Sequence, residues 1–502
     1  MSILGIDLGT SGVRAIVFSA DGDVLGAASR PFTLHRDAPG RVELDPAEVL
    51  HATESAVAQV AADPATRCDP PQALAFAVLG EAVLPIGADG DPLARIAVSM
   101  DARGHGAAAE LDTSFGADRF TEITGQPLHG MFSVFKIAAG GEGWEQAAGY
   151  RCVGDFITER WTGRAAIDAS QAARTGMYDV EKQRWSEDVI TAVAGVAPWL
   201  HREALPDPAC GGDVVGELTP AAAERLGIPA GIPVVSGAHD QAAAYLGGGG
   251  IPGVSSVISF GSSDCLNVGT ASRPTLAPGT GFASYLVLEG CWVTLAGTAA
   301  GGWALEWLAS MLGGTVDGIF SHLADEPPSL LMLPYLAGSG TLDNDPNARG
   351  TIHGLTLETS SAQLARAVVE GAGFEFAKII AAFTACGVDV GRLRVTGSGA
   401  HNASALNARA NAAGRALIPV TADASARGAA ILAARGAGIF APGLAAEPSP
   451  VAAAQHPVPE LRDWYDAQRT RYCDLFDATR SITFAPFDIT RTNQAHEKES
   501  TK

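Results

Sequence analysis

The sequence predicts an α/β protein of two domains. With 502 residues the chain is too long for a single hydrophobic core. A strand, a short loop of small polar residues and a second strand occur at residues 3–19, and the same pattern returns at residues 255–269. The four glycines at 247–250 separate these halves and are typical of a boundary that must bend, although a simple loop would also carry them.

The first loop follows an apolar strand that ends in Asp7. It contains Gly9, Thr10, Ser11 and Gly12, and leads into a second strand at residues 13–19. Walker and dinucleotide loops lead into a helix and carry GK[ST] or GxGxxG, neither of which is present here. A loop of this kind presents backbone N–H groups to an anion, and Asp7 could hold a magnesium ion beside it. Taken alone, the segment is also compatible with an ordinary hairpin.

The rest of the first half alternates helices with apolar strands. A helix is predicted after Asp45-Pro46, because Asp caps a first turn and Pro fits its first position. The further predicted elements are strands at 73–80 and 83–90, a mixture of helix and loop at 151–181, and a strand, a turn and a helix start at 232–246.

The second half opens with strands at 255–260 and 264–269 around a loop at 261–263. Residues 392–414 predict a strand, a glycine loop and a helix whose apolar stripe includes Leu406 and Ala410. A further helix is predicted at 424–438, and the polar residues 490–502 are expected to be disordered.

Charge and cysteine usage exclude several classes of function. The formal net charge of −21 argues against binding to nucleic acid or to anionic membranes, whereas a local nest of N–H groups can bind phosphate regardless. The seven cysteines lie singly, which indicates reduced thiols in a cytosol rather than disulfides or a zinc site. Because we find no signal peptide and no apolar run of 18 residues, we expect a cytoplasmic protein without a membrane span.

Five segments, taken in order, carry a more specific signal. They are DLGTSGVRAIVF (7–18), PVVSGAHDQAAAYLGGG (233–249), SFGSS (259–263), the stretch at 333–374 and VTGSGAHNASAL (395–406). Together they resemble the FGGY family of carbohydrate kinases over roughly residues 2–440, and within it most closely the xylulokinases. The C-terminal family signature fits throughout 350–370, at Gly350, Ile352, Gly354, Leu355, Gln363, Leu364, Ala367, Val368, Val369 and Glu370.

Two positions depart from the family pattern. The N-terminal signature at 130–139 retains Lys136 but lacks the Trp that follows it in the family. Xylulokinases place a sugar-contacting His after the strand that corresponds to 73–79, and here Glu81 takes that position. The departure at Glu81 leaves the identity of the sugar open but not the type of chemistry.

The resemblance implies two actin-like (ribonuclease H-like) ATPase domains that flank a deep cleft. The implied divisions are a sugar-binding N-terminal domain (1–246), a hinge (247–253), a nucleotide-binding C-terminal domain (254–440) and a C-terminal extension with a disordered tail (441–502). The implied activity is phosphorylation of a sugar hydroxyl by ATP with Mg²⁺, on a ketopentose such as xylulose. A small-molecule sugar or polyol is the expected partner, and a homodimer is a further expectation.

The resemblance also implies the site residues. Asp240 is the expected general base and, with Asp7, a magnesium ligand, although an Asp at a helix start is also a common N-cap. The nucleotide contacts are expected from Gly9, Thr10, Ser11, Gly12, Arg14, Gly261, Ser262, Ser263, Gly397, Ser398, Gly399 and Ala400. The sugar contacts are expected from Glu81, Asp101, Arg103, Asp155 and Asp240. Asp101 and Arg103 could instead form a surface ion pair, and Asp155 a helix cap.

Three alternatives stay open at the level of sequence. The substrate could be ribulose, erythritol, glycerol or another polyol. The chain could be a non-catalytic actin-like ATPase in which nucleotide drives assembly. It could also sense a sugar without turnover, which the presence of both Asp7 and Asp240 argues against.

Overall fold

The computed structural model of the chain describes residues 1–261, 263–277, 279–298, 301–343, 345, 348–421, 423–446, 448 and 450–482. The strands of the first half are β1 (Ser2–Leu8), β2 (Gly12–Ser19), β3 (Val24–Pro31), β4 (Leu34–His35), β5 (Glu43–Leu44), β6 (Pro71–Val78), β7 (Val83–Ile86), β8 (Ile96–Ala97), β9 (Gly149–Cys152), β10 (Ala166–Asp168), β11 (Tyr178–Asp179), β12 (Arg184–Trp185), β13 (Asp207–Ala209), β14 (Val214–Glu217) and β15 (Pro233–His239). Its helices are α1 (Pro46–Ala61), α2 (Pro64–Cys68), α3 (His105–Ser114), α4 (Ala117–Thr124), α5 (Ser133–Ala138), α6 (Val153–Thr162), α7 (Ala169–Arg174), α8 (Glu187–Ala194), α9 (Pro220–Leu226) and α10 (Asp240–Gly247).

A six-stranded mixed sheet in the order β14-β15-β6-β1-β2-β3 forms the centre of the first half. β1 and β2, the two strands predicted at 3–19, pair antiparallel, and β3 pairs antiparallel with β2, whereas β6 pairs parallel with both β1 and β15. Side chains alternate across β1, so that Leu4 and Ile6 pack with the α1 side while Ile3 packs with the side of the later helix at 424–436. The carboxyl ends of the parallel strands β1, β6 and β15 therefore meet at one edge of the sheet.

The second half contains the strands β16 (Ser255–Phe260), β17 (Asp264–Thr270), β18 (Ala283–Leu288), β19 (Cys291–Thr298), β20 (Leu331–Leu333), β21 (Thr351–His353), β22 (Arg392–Thr396) and β23 (Leu417–Pro419). Its helices are α11 (Gly302–Leu312), α12 (Val316–Ser321), α13 (Ser361–Ala385), α14 (Ala403–Ala413), α15 (Ala424–Gly436), α16 (Pro442–Ala445) and α17 (Arg462–Arg480). A second six-stranded sheet in the order β18-β19-β17-β16-β22-β23 forms its centre, and α13 and α14 contribute to the hydrophobic cluster against it.

Local sequence signals explain most of the predicted elements. Asp45 caps α1 by accepting from the N–H groups of Ala47 (2.8 Å) and Glu48 (3.0 Å), and Pro46 occupies the first turn. The predicted strand at 83–90 is shorter, because β7 ends at Ile86 and a turn follows in which Gly90 N–H donates to Gly87 O. The turn predicted at 238–239 is instead the end of β15.

Close packing of α10 against α15 explains why residues 247 and 428 are glycines. Gly247 ends α10, where a Cβ would lie 1.9 Å from the Ala424 carbonyl oxygen of α15. A Cβ on Gly428 of α15 would lie 1.9 Å from the carbonyl oxygen of Ala243 in α10. The two helices therefore cross with their backbones in contact, and bending at 247–253 stays a prediction.

A long C-terminal helix was not predicted. α17 buries Tyr465, Tyr472 and Phe476, and the Tyr465 hydroxyl donates to Glu370 of α13 (2.6 Å). The tail at 490–502 lies outside the described residues, so its predicted disorder is untested. Within the described ranges, no helix is both long and apolar enough to cross a membrane.

Candidate active site

The first loop and Asp7 line one side of a cavity of about 350 Å³. Gly9, Ser11, Gly12 and Arg14 share this lining, while Thr10 is half-buried in the same loop. The loop is closed by Gly9 N–H, which donates to Gly12 O (3.0 Å). A Cβ on Gly12 would lie 2.7 Å from Arg30 O, so the tight loop requires glycine there.

Arg14 spans the two halves of the chain. Its guanidinium lies 2.7 Å from the Asp423 carboxylate, next to the start of α15, and both side chains are partly exposed. An exposed pair of this kind adds little stability. Its position next to Asp7 matters more, because Arg14 lowers the pKa of that carboxyl while Asp423 raises it.

Asp7 and Asp240 are two acidic groups placed close enough to interact. Asp7 lies at the end of β1 and Asp240 begins α10 directly after β15. Burial raises the pKa of Asp240 to about 7, and the neighbouring Asp7 and Glu81 carboxylates add to the rise. Burial raises the pKa of Asp7 to about 6. Only 25% of the Asp240 side chain is exposed, so it is accessible from one direction.

His239 and Tyr285 lie next to Asp240 on its buried side. The His239 Nε2 atom lies 3.2 Å from Asp240 Oδ1, and His239 Nδ1 lies 2.6 Å from the Tyr285 hydroxyl. Burial lowers the pKa of His239 well below its usual range, so the ring is neutral and carries one N–H. With Tyr285 donating to Nδ1, the single N–H of the ring lies on Nε2, the ring atom nearest to Asp240. Tyr285 lies on β18, so the second half of the chain supports this carboxylate.

Glu81 occupies a strained position beside Asp240. Its φ of 60° is in the left-handed region, which a non-glycine residue adopts at a cost of about 1–3 kcal/mol. Its carbonyl oxygen accepts from Lys136 Nζ (2.8 Å) and Ser133 Oγ (3.2 Å), and its carboxylate pairs with Arg174. Strain that is held in place by buried partners is typical of a functional site.

The second loop and the loop after β22 face a different cavity, of about 280 Å³. Gly261, Ser398 and Gly399 line it together with Asp264 and Arg409. Burial, followed by the Asp240 carboxylate, raises the pKa of Cys265 to about 12, so the start of β17 lies near Asp240. The start of β17 therefore connects the second half of the chain to Asp240, whereas the loop after β22 faces the second cavity.

Two family models match the chain. The N-terminal domain of the FGGY family of carbohydrate kinases matches residues 2–247, and the C-terminal domain of that family matches residues 256–437. The chain belongs to the FGGY family of carbohydrate kinases. It is therefore an ATP-dependent carbohydrate kinase, as the sequence predicts.

Similar proteins agree with this assignment. A xylulose kinase of Klebsiella pneumoniae is 30% identical over 416 residues, which cover 79% of this chain and 82% of that protein. A glycerol kinase of Bordetella pertussis is 30% identical, with coverages of 87% and 89%. The crystal structure of a xyloylose kinase from Brucella ovis superposes with a TM-score of 0.86 at 25% identity, over 96% of this chain and all of that one. The predicted two-domain, actin-like α/β fold is confirmed.

Three of the predicted sugar residues have other surroundings in the structure of this FGGY kinase. Asp101 accepts from Val42 N–H and from the backbone and guanidinium of Arg103, and Arg103 also pairs with Glu43. Since the Asp101 and Arg103 side chains are 0% and 3% exposed, the surface ion pair is wrong and this is a buried brace. Asp155 lines another buried cavity, which does not include Asp240.

The remaining predicted nucleotide residues fall near the second cavity. Gly397 has a φ of 87°, and a Cβ there would lie 2.2 Å from Phe260 O. Ala400 is buried at the end of a 3₁₀ turn, whereas Ser263 is exposed. Ser262 lies outside the described residues.

Several site residues were not predicted. His239 was not among the predicted site residues and contacts Asp240, while Arg174, Tyr285 and Arg409 carried no motif. The role of His239 could have been predicted from sequence, because His239 directly precedes Asp240 at the end of a buried strand. Arg409, which stacks 4.0 Å above the Phe260 ring and lies 3.4 Å from Asp264, lies on a helix that looked merely apolar.

The raised pKa of Asp240 predicts an acidic limb in the activity of the kinase. A base must be ionised, so kcat/KM for the sugar should fall about tenfold per pH unit below about pH 7. Below about pH 6, protonation of Asp7 should steepen the fall. Initial rates between pH 5 and 9 at saturating ATP measure this profile.

The Glu81→Gln variant tests the cause of that shift. Removing the Glu81 charge should move the acidic limb to lower pH, because the carboxylate helps to raise the pKa of Asp240. A rate that stays level down to pH 5 in the unaltered enzyme would contradict the assignment of a raised pKa to the base.

Proposed function

We propose that the chain phosphorylates a hydroxyl of a ketopentose such as xylulose, using ATP, with Asp240 as the general base. The main support is the position of Asp240, a partly buried carboxylate that lies next to His239 and interacts with Asp7 of the first half and Cys265 of the second. Its pKa is raised to about 7, and a base that accepts a hydroxyl proton works best when its pKa lies near the working pH. The xylulose kinase relative supports the substrate class.

The nucleotide is assigned to the two loops and to the loop after β22. Gly9, Thr10, Ser11 and Gly12 would present N–H and hydroxyl groups to the terminal phosphates, with Gly261, Ser262 and Ser263 opposite them. Gly397, Ser398, Gly399 and Ala400 would let the nucleoside approach the backbone. This division assigns the sugar to 1–246 and the nucleotide to 254–440.

Asp7 and Asp240 fit a magnesium ion. Both are partly buried carboxylates with raised pKa values, and carboxylates are preferred Mg²⁺ ligands. Among the described residues, no group of three or more His, Cys, Asp or Glu side chains could hold a metal, so substrate phosphates would complete the ligand set. When bound, the ion neutralises phosphate charge.

The protein's own groups then position and activate the sugar. Glu81 and Arg174 offer a carboxylate and a guanidinium, which hydrogen-bond vicinal hydroxyls well. The Arg174 Nε atom is buried and has no hydrogen-bond partner in the described part of the chain. The neutral His239 stabilises Asp240 in its acceptor state, and the surrounding burial limits access of water to the transferred phosphate.

Glycerol is the second candidate substrate, since the glycerol kinase relative is equally identical and covers more of the chain. A coupled assay with ATP across xylulose, ribulose, erythritol and glycerol decides between them, and we expect the highest kcat/KM with a ketopentose. A ranking headed by glycerol would overturn the substrate assignment and leave the kinase assignment intact. A non-catalytic actin-like ATPase is not supported, because the family is one of kinases.

Glu81→Gln should weaken sugar binding selectively. Loss of a charged hydrogen-bond partner costs about 1.5–3 kcal/mol, so KM for the best sugar should rise about 10–100-fold while KM for ATP stays constant. The matched control is Glu43→Gln, which also removes a carboxylate from a buried arginine, Arg103, outside the site. Equal KM values for the sugar in both variants would show that Glu81 does not contact it.

A further inference from the structure

A small cavity of about 30 Å³ lies behind the strand ends that carry Glu81 and Asp240. Val78 of β6 and Val235, Ser236 and Gly237 of β15 form part of its wall. Asp155 of α6, Asp168 at the end of β10 and Gln171 of α7 supply the polar part. The cavity lies apart from the linings of the two nucleotide cavities described above.

The cavity concentrates oxygen atoms that lack partners. Both carboxylate oxygens of Asp155, Gln171 Oε1 and Ser236 Oγ are buried and form no hydrogen bond within the described residues. The orientation of Gln171 is fixed, because its Nε2 atom donates to Val78 O (2.7 Å) and Leu79 O (3.2 Å). Its oxygen is therefore directed away from that strand end. Acceptors thus outnumber donors in the cavity.

The cavity also carries uncompensated negative charge. Asp168 is satisfied in part by Ser170 Oγ (2.5 Å) and Gln171 N–H (2.8 Å), whereas Asp155 has no partner at hydrogen-bond geometry and is approached only by the backbone N–H groups of residues 152 and 155. The nearest cation, Arg151, is engaged by Glu159 at 2.8 Å. Burial raises the pKa of Asp155 well above its usual range, Arg151 lowers it and Asp168 raises it further. An isolated buried carboxylate is costly unless a proton or a cation neutralises it.

We propose that this cavity binds a dehydrated monovalent metal cation, Na⁺ or K⁺, on Asp155, Asp168, Gln171 and Ser236. One positive charge balances the Asp155 carboxylate, and hard oxygen donors suit such an ion. Mg²⁺ keeps several of its waters, for which a cavity of 30 Å³ has no room. Water fits the volume but brings no charge.

Hydrogen bonds connect the cavity to the ends of β6 and β15, near which Glu81 and Asp240 lie. Gln171 Nε2 donates to the carbonyl oxygens of Val78 and Leu79, and Leu79 lies two residues before Glu81. Ser170 Oγ accepts from His239 N–H (2.7 Å) and donates to Asp168. A bound cation would therefore stabilise both strand ends that carry Glu81 and Asp240. These side chains act as positioning residues, and the ion does not contact the sugar.

Thermal unfolding of the nucleotide-free enzyme tests the proposal. In equal concentrations of KCl, NaCl and choline chloride, we expect one metal cation to raise Tm by about 2–4 °C over choline at a concentration about 20 times its Kd. The better of the two salts identifies the ion. Omitting nucleotide and magnesium keeps cation effects on ATP out of the measurement.

Variants assign the effect to the cavity. Asp155→Asn supplies an amide that can donate to Gln171, so it should fold without an ion and lose the salt-specific rise in Tm, as should Ser236→Ala. Asp207→Asn, which changes an exposed carboxylate on β13, should retain the rise.

Crystals of the unaltered enzyme soaked in a rubidium or thallium salt give an independent readout that does not depend on a variant folding. We expect an anomalous peak between Asp155 and Gln171. Equal Tm values in all three salts together with no peak in the cavity would show that a water or a proton neutralises Asp155, and would overturn the proposal. A salt-specific rise that persists in Asp155→Asn would overturn it as well. None of these outcomes depends on which sugar is phosphorylated.

Discussion

Replacing Asp240 with Asn should lower kcat about 10²–10⁴-fold, the range expected for loss of a positioned general base. The amide preserves size and can still accept from His239, but it cannot take the proton of the sugar hydroxyl. KM for the sugar and for ATP should change only a few-fold, because the contacts assigned to Glu81 and to the loops remain. Coupled-assay initial rates with the best sugar measure the loss.

Asp118→Asn is the matched control, since it makes the same chemical change at an exposed residue in the first turn of α4. It should retain full kcat. Sugar-induced stabilisation of Asp240→Asn, measured as a Tm shift, separates loss of chemistry from loss of folding. A kcat within tenfold of the unaltered enzyme would remove Asp240 from the role of base.

Much of the fold was accessible from sequence because its signals are local. The meander at the N-terminus follows from apolar alternation and the Asp21-Gly22 turn, and α1 follows from Asp45 and Pro46. The helix α17 was missed although its buried residues recur at helical spacing, because only tertiary contacts with α13 show that this polar segment is ordered.

The site was predictable only where a motif accompanied the chemistry. Asp7 and Asp240 lie at strand ends next to small residues, and this pattern is visible within one short segment of sequence. Arg174 and Tyr285 come from α7 and β18, distant in sequence, and reach Glu81 and His239 only through the fold. Asp101 was predicted from sequence to contact the sugar, but its carboxylate oxygens accept hydrogen bonds from protein donors instead.

The crossing of α10 and α15 links the stability of the enzyme to the position of its base. α15 lies against α10 and against β1, where a Cβ on Gly5 would lie 1.9 Å from Ala426 O. Each of these contacts is to backbone, which cannot rotate away as a side chain can. Because Asp240 is the first residue of α10, any separation of the helices changes the geometry of the site.

Gly428→Ala should therefore destabilise the enzyme by about 3 kcal/mol, at the upper end of the usual cost of overpacking. The added methyl would lie 1.9 Å from Ala243 O and 2.6 Å from the Ala243 carbonyl carbon, so α15 must move off α10. The midpoint of urea unfolding should fall, and kcat should fall with it under conditions where the variant is folded. Gly106→Ala in α3 is the control, because no atom lies within 4 Å of its Cβ position and alanine favours a helix by about 1 kcal/mol. If both variants unfolded at the same urea concentration, the helices would have room to separate without cost, and close contact between α10 and α15 could not be what holds Asp240 in place.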